Sequence, residues 1–551
     1  MPKAKKNRAS KNVYLSTNQL FLEGFETPFE QKLNPQNRWV ILSKKIPWDS
    51  LVSVYNKQMH NSELGADGIN ARVVIGSVMI KHICNFSDQE TVMQIQENMY
   101  MQYFIGYSSF SNEAPFDSSL FVEIRKRLGL EQINAINELI VKTSIENQQK
   151  KSDKPDKNDK DLEKHSDKKS EEKKEEKIQK QDLPPEETHM GKLLLDATAC
   201  PQDIAYPTDL NLLNDAREKT ELIIDVLFDA ELHGKKPRTY RKKARKNYLE
   251  IAQKKSKTHS DIRKGTGKQL RYLHRNIKHI DKLLDKYEII PLNKYLYKYL
   301  LVIGTFYDQQ NEMYEERKHK VSDRIVSIHQ PHVRPMVRGK TAAKVEFGSK
   351  LHLSLANGYA FIDELSWDAY NEGSYLLSSI EHYKRRTGFY PKEVLADKIY
   401  CTRENRAILK ALKIHLKAKP LGRPPAVKTE HVSPGERNPI EGKFGQAKSG
   451  YGLNRIKARL HNTSTSWIAT IVMVLNLVKL AGEVPLWLIR SILTFSARLI
   501  FEFAKNSQMR NLEKNLRATY SADPNYGRCQ KEFLFHGFLF KSQEKTVLSE
   551  L

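Results

Sequence analysis

Between Gln148 and Gln181 the chain reads QQKKSDKPDKNDKDLEKHSDKKSEEKKEEKIQKQ, in which Leu162 and Ile178 are the only sizeable apolar residues. No core forms from such a composition, because almost nothing apolar is buried to offset the entropy lost on ordering. The tract is predicted to be a flexible linker. Its later part, EEKKEEKIQK, has the i,i+4 charge pairs of a transient helix. A tract of this kind splits 551 residues into parts that must each find a core. The expected division is a helical region at 1–147, a linker at 148–186, a larger domain at 187–480 and a C-terminal helical extension of unknown role at 481–551.

The net charge of +25 is spread along the chain rather than gathered in one arm. It points to an acidic polymer as partner, nucleic acid before membrane. Four cysteines (Cys84, Cys200, Cys401 and Cys529) stand apart with no Cys-x-x-Cys or zinc-like histidine spacing, which reads as reduced thiols in a cytosolic setting. The N-terminus MPKAKKNRASKN is basic but lacks a signal peptide's apolar run. WIATIVMVLNLVKLAGEVPLWLIRSILTF is the most apolar region, and Lys479, Glu483, Pro485 and Arg490 break it. Buried core helices are expected there rather than a membrane span.

Before the linker, IPWDSLVSVYNKQM and ARVVIGSVMIKHICNF repeat apolar residues every three or four positions, as helices require. Ser87-Asp-Gln-Glu90 forms a capping box before DQETVMQIQENMYMQYFIG. DSSLFVEIRKRLG ends in Arg125, Lys126 and Arg127, then Gly129, which is a helix stop. Helices with basic ends suit a DNA-binding unit and equally a dimerisation bundle with a solvated rim.

After the linker, GKLLLDATACPQDIAYPTD is a short strand interrupted by Asp196. A basic helical stretch follows over about 209–320, and strands return in RIVSIHQPHVRPMVRG and SKLHLSLANGYAFIDEL, where Leu351, Leu353 and Leu355 alternate. DAYNEGSYLLSSIEHYKRRTG reads as a helix stopped by Gly388, PKEVLADKIY as a strand ending at Asp397, TRENRAILKAL as a helix capped by Thr402, and KIHLKAK as a strand. This order implies a mixed α/β layer with a helical insertion.

Asp196 and Asp397 each sit where a charge interrupts or ends an apolar strand, an expensive place for an unpartnered carboxylate. An Asx-turn accounts for the first and a helix cap for the second. Glu441, in RNPIEGKFGQAKSGYGLNRIKARL, has a local reading too: Asn438 as N-cap, Pro439 at N1 and the glutamate at N3. Taken together, three carboxylates on two strand ends and a helix suit hard divalent cations, Mg²⁺ or Mn²⁺ before zinc. Paired ions of that kind activate the attacking oxygen and stabilise the leaving oxygen in phosphoryl displacement.

LLLDAT, VLADKIYCTREN and RNPIEGKFGQAKSGYGLNRIKARL resemble the three catalytic blocks of bacterial insertion-sequence DDE transposases of the insertion-sequence-five superfamily. The segments from IPWDSL to VEIRKRLG resemble the helical domain preceding the catalytic core in those proteins. The resemblance covers most of 37–145 and 190–478. It implies a ribonuclease-H-like mixed sheet with a helical insertion, preceded by an all-α N-terminal domain. It also implies metal-binding and catalytic roles for Asp196, Asp397 and Glu441 with Mg²⁺ or Mn²⁺. Related transposases carry Tyr-x₂-Arg-x₃-Glu-x₆-Lys around the glutamate; Arg437, Glu441 and Lys448 keep that spacing, but Pro434 stands in the tyrosine's place.

Residues seven apart return to nearly one helix face, so Glu441, Lys448 and Arg455 are expected to form a stripe with Arg437 one turn earlier. Arg437, Lys448, Arg455, Lys457 and Arg459 are the expected phosphate contacts. Lys443 should face away. Gly442 and Gly445 cost a helix roughly 1 kcal/mol each, which implies close approach by a DNA backbone or a neighbouring helix. YRKKARKNY and KGTGKQLRYLHRNIKH in the insertion interleave cations with aromatic residues, as phosphate binding with base stacking requires, although a solvated helix face has the same composition. Asp203 and Asp209 are read as turn and helix-start residues, and Cys200 as a small apolar residue.

The function expected is a cytoplasmic, nucleoid-associated bacterial DNA transposase with no membrane association, a homodimer or larger assembly on DNA. It binds the terminal inverted repeats of its own element, cleaves DNA and joins the freed ends to target DNA. The competing readings are a metal-dependent nuclease of the same fold without strand transfer and a non-catalytic DNA-binding protein derived from a transposase.

Overall fold

Asn37, Asn70, Ser87 and Asn98 each turn a side-chain oxygen onto the backbone N–H groups of a new helix, satisfying donors that have no partner within the helix. The computed structural model of the chain describes residues 33–57, 68–152, 189–337, 345–418 and 434–482. The expected extension at 481–551, from Glu483 onward, and the expected linker, from Asp153 onward, lie outside the described residues.

The N-terminal helices are α1 (Arg38–Lys45), α2 (Trp48–Asn56), α3 (Ala71–Cys84), α4 (Asp88–Glu97), α5 (Met99–Ile105), α6 (Leu120–Arg127) and α7 (Leu130–Ser152). Ser87 caps α4 as expected by accepting from the Glu90 N–H at 3.0 Å. The run beyond it divides at Asn98, whose carboxamide caps α5. Helix α7 continues past Gln148, where the linker was expected to begin, to Ser152.

A six-stranded mixed sheet forms the other half. Its strands are β1 (Lys192–Pro201), β2 (Arg334–Val337), β3 (Val345–Ala356), β4 (Tyr359–Ser366), β5 (Glu393–Leu395) and β6 (His415–Lys417), in the order β2-β3-β1-β5-β6, with β4 also on β3. Strands β1, β3 and β4 run antiparallel in turn, whereas β5 and β6 lie parallel to β1. Leu351, Leu353 and Leu355 of β3 are almost fully buried, as their alternation requires. Of the strand expected in RIVSIHQPHVRPMVRG, only the end is a strand.

Helices α13 (Leu376–Thr387), α14 (Arg403–Ala411), α15 (Pro434–Gly450) and α16 (His461–Ala481) complete this half. Gly388, at φ +83°, closes α13, and Thr402 caps α14 through the Asn405 N–H. Between β1 and β2 lies the insertion: α8 (Asp209–Leu227), α9 (Ala230–His233), α10 (Arg241–Ala252), α11 (His259–Leu284) and α12 (Lys294–Glu315).

The principal core joins apolar residues of the N-terminal helices with those of α15, α16 and β3. The boundary expected at residue 147 is thus a division of the chain and not of the core. The insertion packs around its own cluster, including Leu213, Ile224, Leu273 and Phe306. Helix α16 is long and apolar enough to cross a membrane, and 83% of its most apolar window is buried inside the structure.

Candidate active site

Strand β1 carries Asp196 on the face opposite the buried Leu193, Leu195 and Ala199, and 19% of its side chain is exposed. Burial, above all, pushes its pKa up to about 6 against the pull of the Ala197 N–H and Arg437; Glu372 and Asp397 add to the rise. Strand β5 pairs with β1 through Leu194 and Leu395. Both chains then continue two residues in the same direction to Asp196 and Asp397. Asp397 accepts from the Lys398 N–H at 2.7 Å and caps a short 3₁₀ turn, Lys398–Tyr400.

Arg437 joins the two acids. One guanidinium nitrogen lies 3.5 Å from Asp196 Oδ2 and the other 3.5 Å from Asp397 Oδ1. Both contacts exceed the roughly 2.7–2.9 Å of a closed charge-assisted bond. Arg437 belongs to α15, and Glu441 follows on the same helix four residues later, one turn along on the same side. The glutamate is exposed. Among the described residues, no three His, Cys, Asp or Glu side chains converge closely enough to hold a metal ion. The structure thus brings two of the three expected ligands together and leaves the third one helical turn from the guanidinium between them.

Helix α15 corrects the local reading of Glu441. It begins at Pro434 and takes Pro439 into its interior, so Asn438 is not its N-cap and Glu441 is not at N3. The stripe is also shorter than expected. The helix ends at Gly450, the chain turns at Gly452 with φ +74°, and Arg455 pairs with Asp203 at 2.9 Å instead of continuing the helix face. Beyond it, Ile456 exchanges backbone bonds with Pro201 and Asp203 at the end of β1, leaving Lys457 and Arg459 exposed. Lys448 is half-buried on α15. Lys443 does face away: its ammonium donates to the Leu475 carbonyl of α16 at 3.4 Å, and burial lowers its pKa to about 8. A Cβ at Gly442 or Gly445 would meet nothing within 4 Å, so among the described residues no neighbouring helix accounts for these glycines.

Sequence reasoning passed over Glu372. It opens the 3₁₀ turn Glu372–Tyr375, whose Gly373 packs so closely on the Ile399 carbonyl that a Cβ there would lie 2.7 Å from the oxygen. The Asn405 amide donates to both the Gly373 and Tyr400 carbonyls, at 2.8 and 2.9 Å. These contacts fasten Glu372 beside the turn carrying Asp397, and Lys350 of β3 pairs with it at 2.9 Å. Beneath lies Tyr400, fully buried, its hydroxyl 2.8 Å from His352 Nε2. Burial, then Glu372 and Asp196, push the phenol far above its ordinary range. The Asn-Glu-Gly of the turn was the one available signal, and it reads equally well as an ordinary helix start.

Two segments match known sequence families: residues 394–478 match the family described as Transposase DDE domain, and residues 27–127 match Transposase domain (DUF772). The chain is similar to transposases. The DDE match contains Asp397 and Glu441 and begins beyond Asp196. A further likeness is to an uncharacterized protein, ORF8 in the nfe locus of Rhizobium meliloti, 26% identical over 188 residues, or 34% of this chain and 73% of that protein. No solved structure matches.

Proposed function

We propose that the protein is a DNA transposase that binds the ends of its own mobile element, cleaves DNA there and joins the freed 3′ ends to target DNA. The observation that carries this reading is the approach of Asp196, in the middle of β1, to Asp397, two residues beyond the end of the neighbouring parallel strand β5, with a cation between them. The antiparallel run of β1, β3 and β4 followed by β5 and β6 parallel to β1, with the short β2 added to β3, supports a ribonuclease-H-like catalytic domain.

The donor set is all oxygen, and Asp196 is a carboxylate that burial leaves short of cationic support. Both features fit Mg²⁺ or Mn²⁺. Asp196, Asp397 and Glu441 would hold the metal, which supplies an activated oxygen nucleophile and charge stabilisation in phosphoryl transfer. Arg437, which lies between the two acids, and Lys448 further along α15 would position the phosphate backbone beside the metal. Lys457 and Arg459, exposed where β1 ends, extend that cationic track. Arg455, committed to Asp203, contributes less than the stripe implied. The basic helices of the insertion add sequence-independent grip on DNA. A homodimer or larger assembly in the bacterial cytoplasm completes the reading.

The test is cleavage of DNA bearing the element's own ends in Mg²⁺. Asp196→Ala, Asp397→Ala and Glu441→Ala should each abolish cleavage while sparing DNA binding, and double substitution should add little because the three act as a unit. Near-normal cleavage by one variant removes that residue from the set. Pre-cleaved ends that are hydrolysed further but never joined to target would favour a nuclease of the same fold. DNA binding without any cleavage would favour a non-catalytic binder.

A further inference from the structure

Two carboxylates that share one guanidinium repel one another, and Asp196, the more buried of the two with 19% of its side chain exposed against 50% for Asp397, most needs the cation. Lys350 is engaged elsewhere, on Glu372 and on the Tyr370 carbonyl at 2.9 Å each. Arg437 therefore balances Asp196 and Asp397. Only 20% of its side chain is exposed, and its Nε is buried without a hydrogen-bond partner, so the position is costly for the guanidinium itself. An arginine serving phosphate alone would have no reason to turn inward onto two acids.

The helix beneath it is loosely tied at the right place. Pro439 has no N–H to offer the Gly435 carbonyl, so the opening residues of α15, just before Arg437, are held by one helical bond fewer.

We infer that Arg437 is the resident cation of the metal-free centre: it holds Asp196 and Asp397 together, competes with a divalent cation for the space between them, and is released when that cation enters. The inference rests on the transposase reading and assigns Arg437 as a positioning residue. Its guanidinium becomes available to DNA phosphate only once the acids have another partner, so metal loading and phosphate capture are ordered events.

Mn²⁺ binding to the full chain, followed by calorimetry or by the loss of the free-ion electron-spin-resonance signal, tests this. Arg437→Gln removes the competitor and should tighten Mn²⁺ binding roughly tenfold, within the range usual for two coupled sites. It should also lower the thermal midpoint of the metal-free protein more than that of the Mn²⁺-saturated protein. Unchanged or weaker Mn²⁺ binding by folded Arg437→Gln overturns the inference. A second measurement needs no variant: phenylglyoxal modification of Arg437 in the wild-type chain, read by mass spectrometry, should quicken when Mn²⁺ is added. Slower or unchanged modification overturns it. Metal-dependent cleavage by a wild-type chain that fails either test would leave the transposase reading standing and this inference refuted; a wild-type chain that binds no Mn²⁺ refutes both.

Discussion

The described residues contain two all-helical regions with opposite relations to the sheet. The N-terminal helices cannot close their core alone. Asn476 of α16 donates to Asn137 of α7 and to the Ala360 carbonyl of β4, and accepts from the Ala360 N–H, each at 2.8 Å. Arg386 of α13 reaches both Glu138 of α7 and buried Asp363 of β4. Trp467 of α16 is packed by the His82 ring and by the cations of Lys81 and Arg125. The insertion, by contrast, encloses its own apolar cluster, and the salt bridge from Asp209 to Arg324 at 2.5 Å pins its two ends together. Helical composition does not distinguish a welded region from an autonomous one. The destination of the polar side chains does. In the first region they cross to another element far along the chain, and in the second they close upon themselves or face outward.

The sharpest way to break this comparison is at the weld. Arg125 meets Asp88 with two bonds of 2.8 Å, and Lys81 meets the same carboxylate at 2.9 Å. Arg125→Ala leaves Asp88 with Lys81 alone and takes one cation from the Trp467 ring, and should cost about 1.5–3 kcal/mol in urea unfolding of the whole chain. The Asp88 pKa is lowered in the fold, with Arg125 and Lys81 overcoming the effect of burial. Its contribution is therefore present above the unfolded carboxylate range and lost as pH falls from there through the lowered pKa of the folded state, so the difference between wild type and Arg125→Ala should narrow in acid. A loss confined to the N-terminal helices, with the sheet melting as before, would refute the weld.

A smaller effect on stability is expected when residues 209–320 are replaced by a short Gly-Ser linker. The sheet should still unfold cooperatively, within about 1 kcal/mol of wild type, while DNA affinity loses much of its salt dependence. Within the insertion, the triple substitution of Lys242, Lys243 and Lys246, all exposed on α10, by alanine should flatten the slope of log affinity against log salt by up to about 3. An unchanged slope would return α10 to the status of a solvated face. Smallest of all is Tyr240→Gly. Tyr240 sits at φ +54°, 45% exposed, just before α10, and glycine relieves left-handed strain of roughly 1–2 kcal/mol, partly offset by losing the Arg238 and Arg275 cations from the ring. The gain should register as added resistance of the insertion to unfolding.

Much of the fold was legible because it is local. The Ser87 and Thr402 caps, the Gly388 stop and the alternation along β3 are each decided within a few residues, and each is where the sequence puts it. Asp196 and Asp397 were legible for a related reason: a carboxylate inside an apolar run is anomalous whatever surrounds it. What failed depended on distant partners. Nothing near Pro439 announces that α15 has already begun at Pro434, since a proline suits a first turn and only the rest of the fold makes it tolerable later. Arg455 looked helical by spacing, but Gly452 and the pairing of Ile456 with the end of β1 redirect the chain. Glu372 acquires its place from the packing of Gly373 on Ile399, a contact with no counterpart in periodicity.

The weld to α16 also has a consequence for the order in which the chain is made. Asn137 and Asn476 are separated by 339 residues, and Lys45 donates to the carbonyl of Leu480 across 435. At roughly 5–20 residues per second, a ribosome takes about 20–70 s to travel from Asn137 to Asn476. Throughout that interval the N-terminal helices have been synthesised without the helix that completes their core, while the insertion, whose contacts are nearer in sequence, has all it needs to fold. The first region made is the last finished, so its apolar face is where a nascent chain would most need a chaperone.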